Sequence, residues 1–555
     1  MLSRRRTLAA IASLGLLGCR RDHPTPTEPA ASSDERLIRA TIYTNNPARP
    51  TAEAMLLRGP TIAAIGSFAE LDGARLAATP ILDWRDATII PGLTDAHAHL
   101  LGLGESREIV DLRGAGSVAE IVARLREQAP AQGWILGRGW DQNLWGGAMP
   151  SAAQLDEAFP DRPVWLARVD GHAGWANSVT LGLTGIERGT GDPEGGEILR
   201  DPSTGAATGV LVDAAMDAVP IPAASEADIE RWLRSATREA ASLGLTGVHE
   251  MGLGPQAHAV FEALAAGREL PIRVHGYASE AWWTAGLDGL EPSARTEAAR
   301  YLLAGVKLYA DGALGSRGAA LIEPYADRPE HRGALMHPPE RFVALVQGIV
   351  ARGLQVATHA IGDLGNRTII DAYEQALTGA QADLRLRIEH AQIIDLPDIA
   401  RMAALGVVAS MQPTHATSDM PWAGARVGEA RLPGAYAWQR MLAAGVPLAF
   451  GSDFPVEQPS PLLGLYAAVT RQDRAGEPSG GWLADQRLSM AQAIAAFSSG
   501  AAFAAHRDDH LGVLAPGYRA DLTCLARDPF AVDPSELPGS PIRATMVDGE
   551  LVYQG

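Results

Sequence analysis

The chain has 555 residues, 46% of them hydrophobic and 20% charged, a globular composition long enough for a large barrel plus a second module. Its formal net charge of −18 leaves no basic surplus to neutralise phosphates and argues against nucleic-acid binding. The only cysteines are Cys19 and Cys524, so no intramolecular disulfide is expected in the mature protein.

Met1 to Arg6 is basic and Thr7 to Leu17 is apolar and small. This reads as a short secretory signal, too short to span a membrane. Leu16-Leu17-Gly18-Cys19 resembles a bacterial lipobox, and Ser3-Arg4-Arg5-Arg6-Thr7-Leu8 resembles a twin-arginine (Tat) export signal. The expectation is a signal peptide over 1–18, lipidation at Cys19 and a flexible tether over 19–36 rich in Pro, Thr, Ser and Glu. The protein would then be exported and lipid-anchored in a bacterial cell envelope, periplasmic or on the outer surface, meeting the membrane only through its anchor.

From Leu37 onward short β-rich runs alternate with turns: 38–43, 52–57 and 61–66. The far end has the same texture over 511–523 and 544–553, where Asp548-Gly549 is a strong hairpin signal. The two ends, 37–90 and 511–555, are expected to build one small β-sandwich domain.

The middle, 91–510, alternates amphipathic helices with short apolar strands. Helices are expected over Glu226 to Leu243 and Pro339 to Arg352. Strand candidates end near His97, His249, His275, Leu308, His359, His390, Met411 and Gly451. Eight such units predict an α/β fold, a (β/α)8 TIM barrel. Between the first two lies a large insertion, roughly 105–235, expected to form a lid over the barrel mouth.

Polar residues recur at the C-terminal ends of these strands, where barrel active sites sit. His97 and His99, two apart on an extended backbone, share one face and form a pincer for a transition metal. Lys307, His359 and His390 end later strands, and Asp453 follows Phe450-Gly451-Ser452. The interval from His390 to Asp453 leaves room for a strand that skips the site. Singly, each residue also reads as structural: a salt-bridged lysine, core histidines, a helix N-cap. Six of them at strand ends in this order point to a metal site.

These residues resemble the metal signature of the amidohydrolase superfamily. The finer phrasing is similar to its YtcJ-like branch, which includes N-substituted formamide deformylases. The matching phrases are Arg168-Val169-Asp170-Gly171-His172, Lys307 through Arg317, Thr358-His359-Ala360-Ile361-Gly362-Asp363, Arg387-Ile388-Glu389-His390-Ala391 and Gly451-Ser452-Asp453-Phe454-Pro455. The resemblance implies a barrel with a β-sandwich from both ends. It also implies two divalent ions: His97 and His99 on one, His359 and His390 on the other, and a CO2-derived carbamate on Lys307 bridging them. Zinc is the expected metal for this nitrogen and oxygen set. Asp453 would ligate metal, take a proton from the attacking water and pass it to the departing amine.

The resemblance also suggests that His172 contacts substrate. Asp311 and Arg317, just after Lys307, are candidates for shaping the pocket or for pairing with each other. Trp140, with Asp141 and Gln142, and Trp422 are candidates for an apolar wall. His249 and His275 also end strands, and Glu250 departs from the branch's pattern and is given no catalytic role.

The sequence therefore reads as a metal-dependent hydrolase of a non-peptide C–N bond, an amide or N-substituted formamide. A deaminase or a cyclic-amide hydrolase uses the same metal frame, and a non-catalytic binding or regulatory surface lipoprotein is the alternative of another class. The partner expected is a small-molecule amide, with a homodimer left open.

Overall fold

The fold is that of a computed structural model describing residues 35–75, 78–286, 292–293, 296–377 and 383–555. The expected signal sequence, Cys19 and the tether up to residue 34 lie outside the described residues. Among the described residues no helix is long and apolar enough to cross a membrane.

The centre is an eight-stranded sheet of parallel neighbours: β1 (Leu93–Ala98), β2 (Leu245–Leu253), β3 (Arg273–Ser279), β4 (Tyr301–Tyr309), β5 (Gln355–Ala360), β6 (Arg387–His390), β7 (Val408–Met411) and β8 (Leu448–Phe450). All eight coincide with the strand candidates of the sequence. Most of their residues are buried on both faces, as near-continuous apolar runs require when helices cover one face and a packed interior fills the other.

The ring closes between β8 and β1. Asp453 N–H donates to His97 O at 2.8 Å, and Ser452 donates from its backbone N–H and from Oγ to Asp95, the latter at 2.6 Å. Glycine is needed at 451, since a Cβ there would lie 2.5 Å from Asp95 Oδ1 and 2.6 Å from His97 N. The closure thus fixes the β1 histidines against Asp453.

Both chain ends share one seven-stranded sheet, in the order Glu550–Gln554, Ile542–Val547, Leu522–Leu525, Ile81–Pro91, Glu35–Tyr43, Thr51–Arg58, Thr61–Gly66. It is a single sheet that curls until Ile62 N–H reaches Tyr518 O at 2.9 Å. Ile38, Met55, Ile62, Ile89, Leu522, Cys524 and Met546 then share one core. A polar clasp joins this sheet to the barrel floor: Arg273 of β3 donates to Asp521 at 2.7 and 3.0 Å and also pairs with Asp548.

Between β1 and β2 the chain builds a six-stranded sheet, ordered Gly196–Arg200, Ala207–Asp213, Ala173–Ala176, Val164–Arg168, Ile135–Trp140, Val110–Asp111. It has its own core around Trp140, Leu166 and Trp175. The helix Glu226–Ser242 then returns to the barrel. It opens on a Ser225–Asp228 capping box and buries Ile229, Leu233, Ala236 and Ala240.

Candidate metal centre

The C-terminal ends of the barrel strands open into a cavity of about 1190 Å³, lined by His97, His99, Lys307, His359, His390 and Asp453. All six sequence candidates for metal ligation therefore face one space. His415 joins them from the helix Pro413–Asp419 that follows β7, so the seventh strand does not skip the site. Ligand atoms of His97, His99 and Asp453 lie within 4.8 Å of one another, and so do those of His390, His415 and Asp453. Asp453 is common to both groups. His99 Nε2 is 3.0 Å and His97 Nε2 3.5 Å from Asp453 Oδ1, and His415 Nε2 is 3.7 Å from Oδ2.

The histidines are held as metal ligands need to be. His97 Nδ1 is 2.6 Å from Glu389 Oε2, His99 Nδ1 is 3.0 Å from Met251 O, and His390 Nδ1 is 2.7 Å from Gln412 Oε1. Each acceptor fixes the Nδ1–H tautomer and leaves the Nε2 lone pair for a cation. His359 differs: its Nε2 lies 3.4 Å from Gly312 O and 3.5 Å from Asp311 Oδ1, which leaves Nδ1 as the ligand atom. Asp453 Oδ1 and His415 Nε2 are buried without a hydrogen-bond partner. Unsatisfied buried acceptors beside free imidazole nitrogens fit a metal ion. His390 (φ +72°) and Asp453 (φ +61°) adopt left-handed backbone that non-glycine residues rarely take, a strain found at functional sites.

A family model described as "Amidohydrolase family" matches residues 81–553. The chain belongs to the amidohydrolase family. This amidohydrolase is 33% identical over 532 residues to YtcJ of Bacillus subtilis (strain 168), covering 92% of this chain and 98% of that protein. It is 29% identical over 544 residues to the N-substituted formamide deformylase of Arthrobacter pascens, covering 94% and 98%. Among solved structures, a metal-dependent hydrolase from Pyrococcus horikoshii OT3 superposes with a TM-score of 0.74 at 29% identity, covering 90% of this chain and 99% of that one. The amidohydrolase is thus a hydrolase acting on C–N bonds, on a metal-dependent TIM-barrel frame.

Burial dominates the electrostatics of the amidohydrolase's centre. It lowers the His97 imidazole to about 4, and the nearby Lys307 pushes the same way. His359 and His390 are likewise held well below the ordinary histidine range by burial, which keeps them neutral, the form that ligates metal. Burial alone would raise the Asp453 carboxyl, but the imidazoles of His97 and His99 beside it hold it well below the usual carboxylate range. Lys307 is 1% exposed and lies 3.5 Å from His97 Nε2. Burial lowers its ammonium to about 8, against the attraction of Glu389 and Asp453.

His172 enters the mouth from the insertion. Its ring sits 5.1 Å from that of His359, and its Nδ1 is 2.6 Å from Asp213 Oδ1. Asp311 and Arg317 require correction, because neither lines the cavity and they do not pair with each other. Asp311 is fully buried and accepts N–H bonds from Ala320 (2.8 Å), Ile361 (3.0 Å) and Gly362 (2.8 Å), so it pins the loops after β4 and β5. Arg317 turns outward to Asp327 at 2.9 Å. Trp140 is buried in the insertion's core rather than in the cavity wall, and Gln142 accepts from Arg168 at 2.7 Å. Asp141 and Trp422 do line the cavity. Glu250 accepts from the N–H groups of Leu100 and Leu101, capping the helix that follows His99.

Sequence reasoning missed His415 and the role of Glu389. Glu389 lies two residues from Arg387, and the side chains pair at 2.8 Å with both fully buried. The strand alternation of Arg387, Glu389 and His390 was the available signal.

Proposed function

We propose that this enzyme hydrolyses an amide or N-substituted formamide at a site of two divalent ions, held by the residues named above, with zinc the favoured metal. The observation that carries the reading is Asp453, which is shared between a His97–His99 group and a His390–His415 group within 4.8 Å, with Lys307 beside His97. One carboxylate between two clusters of imidazoles suits a pair of ions better than one. Among the described residues Lys307 has no carboxylate within salt-bridge distance, and a buried bare ammonium among histidines is costly. A carbamate on its Nζ would turn that misfit into an anionic bridge.

When bound, the ions supply Lewis acidity toward a carbonyl oxygen and bring the acidity of a water to near neutral. Asp453 then takes the proton of the attacking water and delivers it to the departing amine nitrogen. The imidazoles beside it keep it ionised. His172, oriented by Asp213 through Nδ1, presents Nε2 to the substrate's carbonyl oxygen. Burial alone would lower this imidazole, but the bond to Asp213 raises it above the ordinary value, which favours donation.

The likeness to the Arthrobacter pascens deformylase supports formamides as the first substrates to try. Purified protein, stripped of metal and reconstituted with zinc and bicarbonate, is offered N-substituted formamides, longer amides, cyclic ureas and ring amines. The reading expects amine release from the first two classes. Turnover of ring amines or cyclic ureas alone would make the enzyme a deaminase or cyclic-amide hydrolase. We further propose that the enzyme is exported and anchored through Cys19, which Cys19→Ser followed by membrane fractionation tests: the variant should leave the membrane fraction.

A further inference from the structure

Of the arginines lining the cavity mouth, Arg138 is the one without a carboxylate partner among the described residues. Arg138 lies on the strand Ile135–Trp140 of the insertion and faces the cavity. Its Nη2 donates to Val169 O at 3.3 Å, and its Nε is buried without a hydrogen-bond partner. The other two arginines of the lining are neutralised: Arg113 by Asp111 at 2.7 Å, and Arg168 by Asp141 at 2.6 Å and by Asp170. Among the described residues no carboxylate lies within 4.0 Å of Arg138. Asp453, Asp170 and Glu105 act on it only through space.

Two of those acids are spent elsewhere. Asp170 is bridged to Arg168 and accepts the His172 N–H at 3.1 Å, while burial pushes the Glu105 carboxyl up toward its neutral form. Gly171 (φ +77°) leaves the approach open, since a Cβ there would stand 3.3 Å from Nη2. A buried guanidinium edge with donors to spare, in a chain of net charge −18, is arranged for a ligand that brings its own anion.

We propose that Arg138 is a substrate-binding residue for a carboxylate, so that the preferred substrates are amides that also carry a carboxylate, such as N-formyl or N-acyl amino acids. The planar fork accepts a carboxylate edge-on through two parallel N–H bonds. The nearby Asp453 carboxylate favours a monoanion over a doubly charged phosphate. This rests on the hydrolase reading above and deepens it by naming the substrate class.

The test compares N-formylphenylalanine with its neutral carboxamide, using zinc-loaded wild-type, Arg138→Met and Arg138→Lys proteins of equal metal content. Wild type should favour the acid. Arg138→Met should raise KM for the acid by about 10- to 100-fold with kcat little changed, the cost of a lost charged hydrogen-bond pair, and leave the carboxamide unaffected. Arg138→Lys should fall between. An equal loss on both substrates, or a wild type that favours the carboxamide, overturns the proposal. Calorimetric titration of the same proteins with N-formylphenylalanine reads binding without turnover. Arg138-dependent binding with no hydrolysis would sink the hydrolase reading alone, and hydrolysis with no Arg138-dependent discrimination would sink the carboxylate proposal alone.

Discussion

Glu389 Oε2 sits 2.6 Å from His97 Nδ1, and the same carboxylate is clamped by Arg387 at 2.8 and 3.0 Å. Arg387 in turn donates to Ala96 O, Ser410 Oγ, His249 Nδ1 and Tyr277 Oη. A buried ion pair spanning β1, β2, β3, β6 and β7 thus sets the orientation of a metal-facing imidazole from below.

Replacing Glu389 by Gln removes the charge while keeping the shape. His97 then loses the partner that makes its Nε2 a strong donor. Zinc affinity, read by competition with a coloured chelator, should fall about 10- to 100-fold. Unchanged affinity would mean that Glu389 serves only Arg387.

His415→Ala removes a ligand from one group without breaking an internal hydrogen bond, because His415 Nε2 has no partner. The fold should therefore survive, and metal content should drop from about two ions per chain toward about one. His99→Ala should deplete the other group. Full metal content in His415→Ala would return His359 to the place of fourth imidazole.

Lys307 gives the site a pH dependence of definite sign. Only the neutral amine attacks CO2, and its fraction grows as pH rises through the lowered value of about 8. At fixed dissolved CO2, the initial rate of carbamate formation in metal-free protein should be about tenfold higher at about pH 9 than at about pH 7. The carbonyl signal of 13C-labelled carbamate follows it directly. A flat profile, or the same signal in Lys307→Arg, contradicts the bridge.

The clasp between barrel and terminal sheet is a buried charge cluster. Arg273, 2% exposed, holds both Asp521 and Asp548. Arg273→Met leaves Asp521 buried without its guanidinium, while Asp548 keeps Arg300 and Arg519, and should destabilise by about 3–5 kcal/mol, read as a lower urea midpoint. Burial alone would raise the Asp548 carboxyl, but Arg273, Arg300 and Arg519 lower it. A depressed folded pKa adds stability above the ordinary carboxylate value of about 4 that is lost as pH falls through the folded one. Wild type should therefore lose stability on acidification, and Arg273→Met should lose less.

The barrel was legible because most strands are short buried runs, several of which carry a polar residue at or next to the mouth, such as His359 in Gln355–Ala360 and His390 in Arg387–His390. His97, His99, Lys307, His359, His390 and Asp453 could be found for the same reason. His415 could not, because it sits on a helix opened by Pro413 rather than on β7, where strand alternation says nothing. Asp311 misled because backbone amides from its own loop and from the loop after β5 complete its bonding, and those loops meet only in the folded chain. That both ends share one β-domain was legible from their common texture, whereas the order of its seven strands was not, since periodicity marks strands and not their neighbours. Arg138 was invisible as a ligand-binding group until the pairing of Arg113 and Arg168 left it alone.

On the proposed reading, Asp453 works between two metal ions to cleave a C–N bond. The most direct test is a zinc titration of metal-free protein in bicarbonate, following bound metal and amine release from an N-substituted formamide in the same samples. Activity should saturate at about two zinc ions per chain, and an Asp453→Asn protein should release little amine at any loading. Full activity at one ion, or an Asp453→Asn protein as active as wild type, would contradict it.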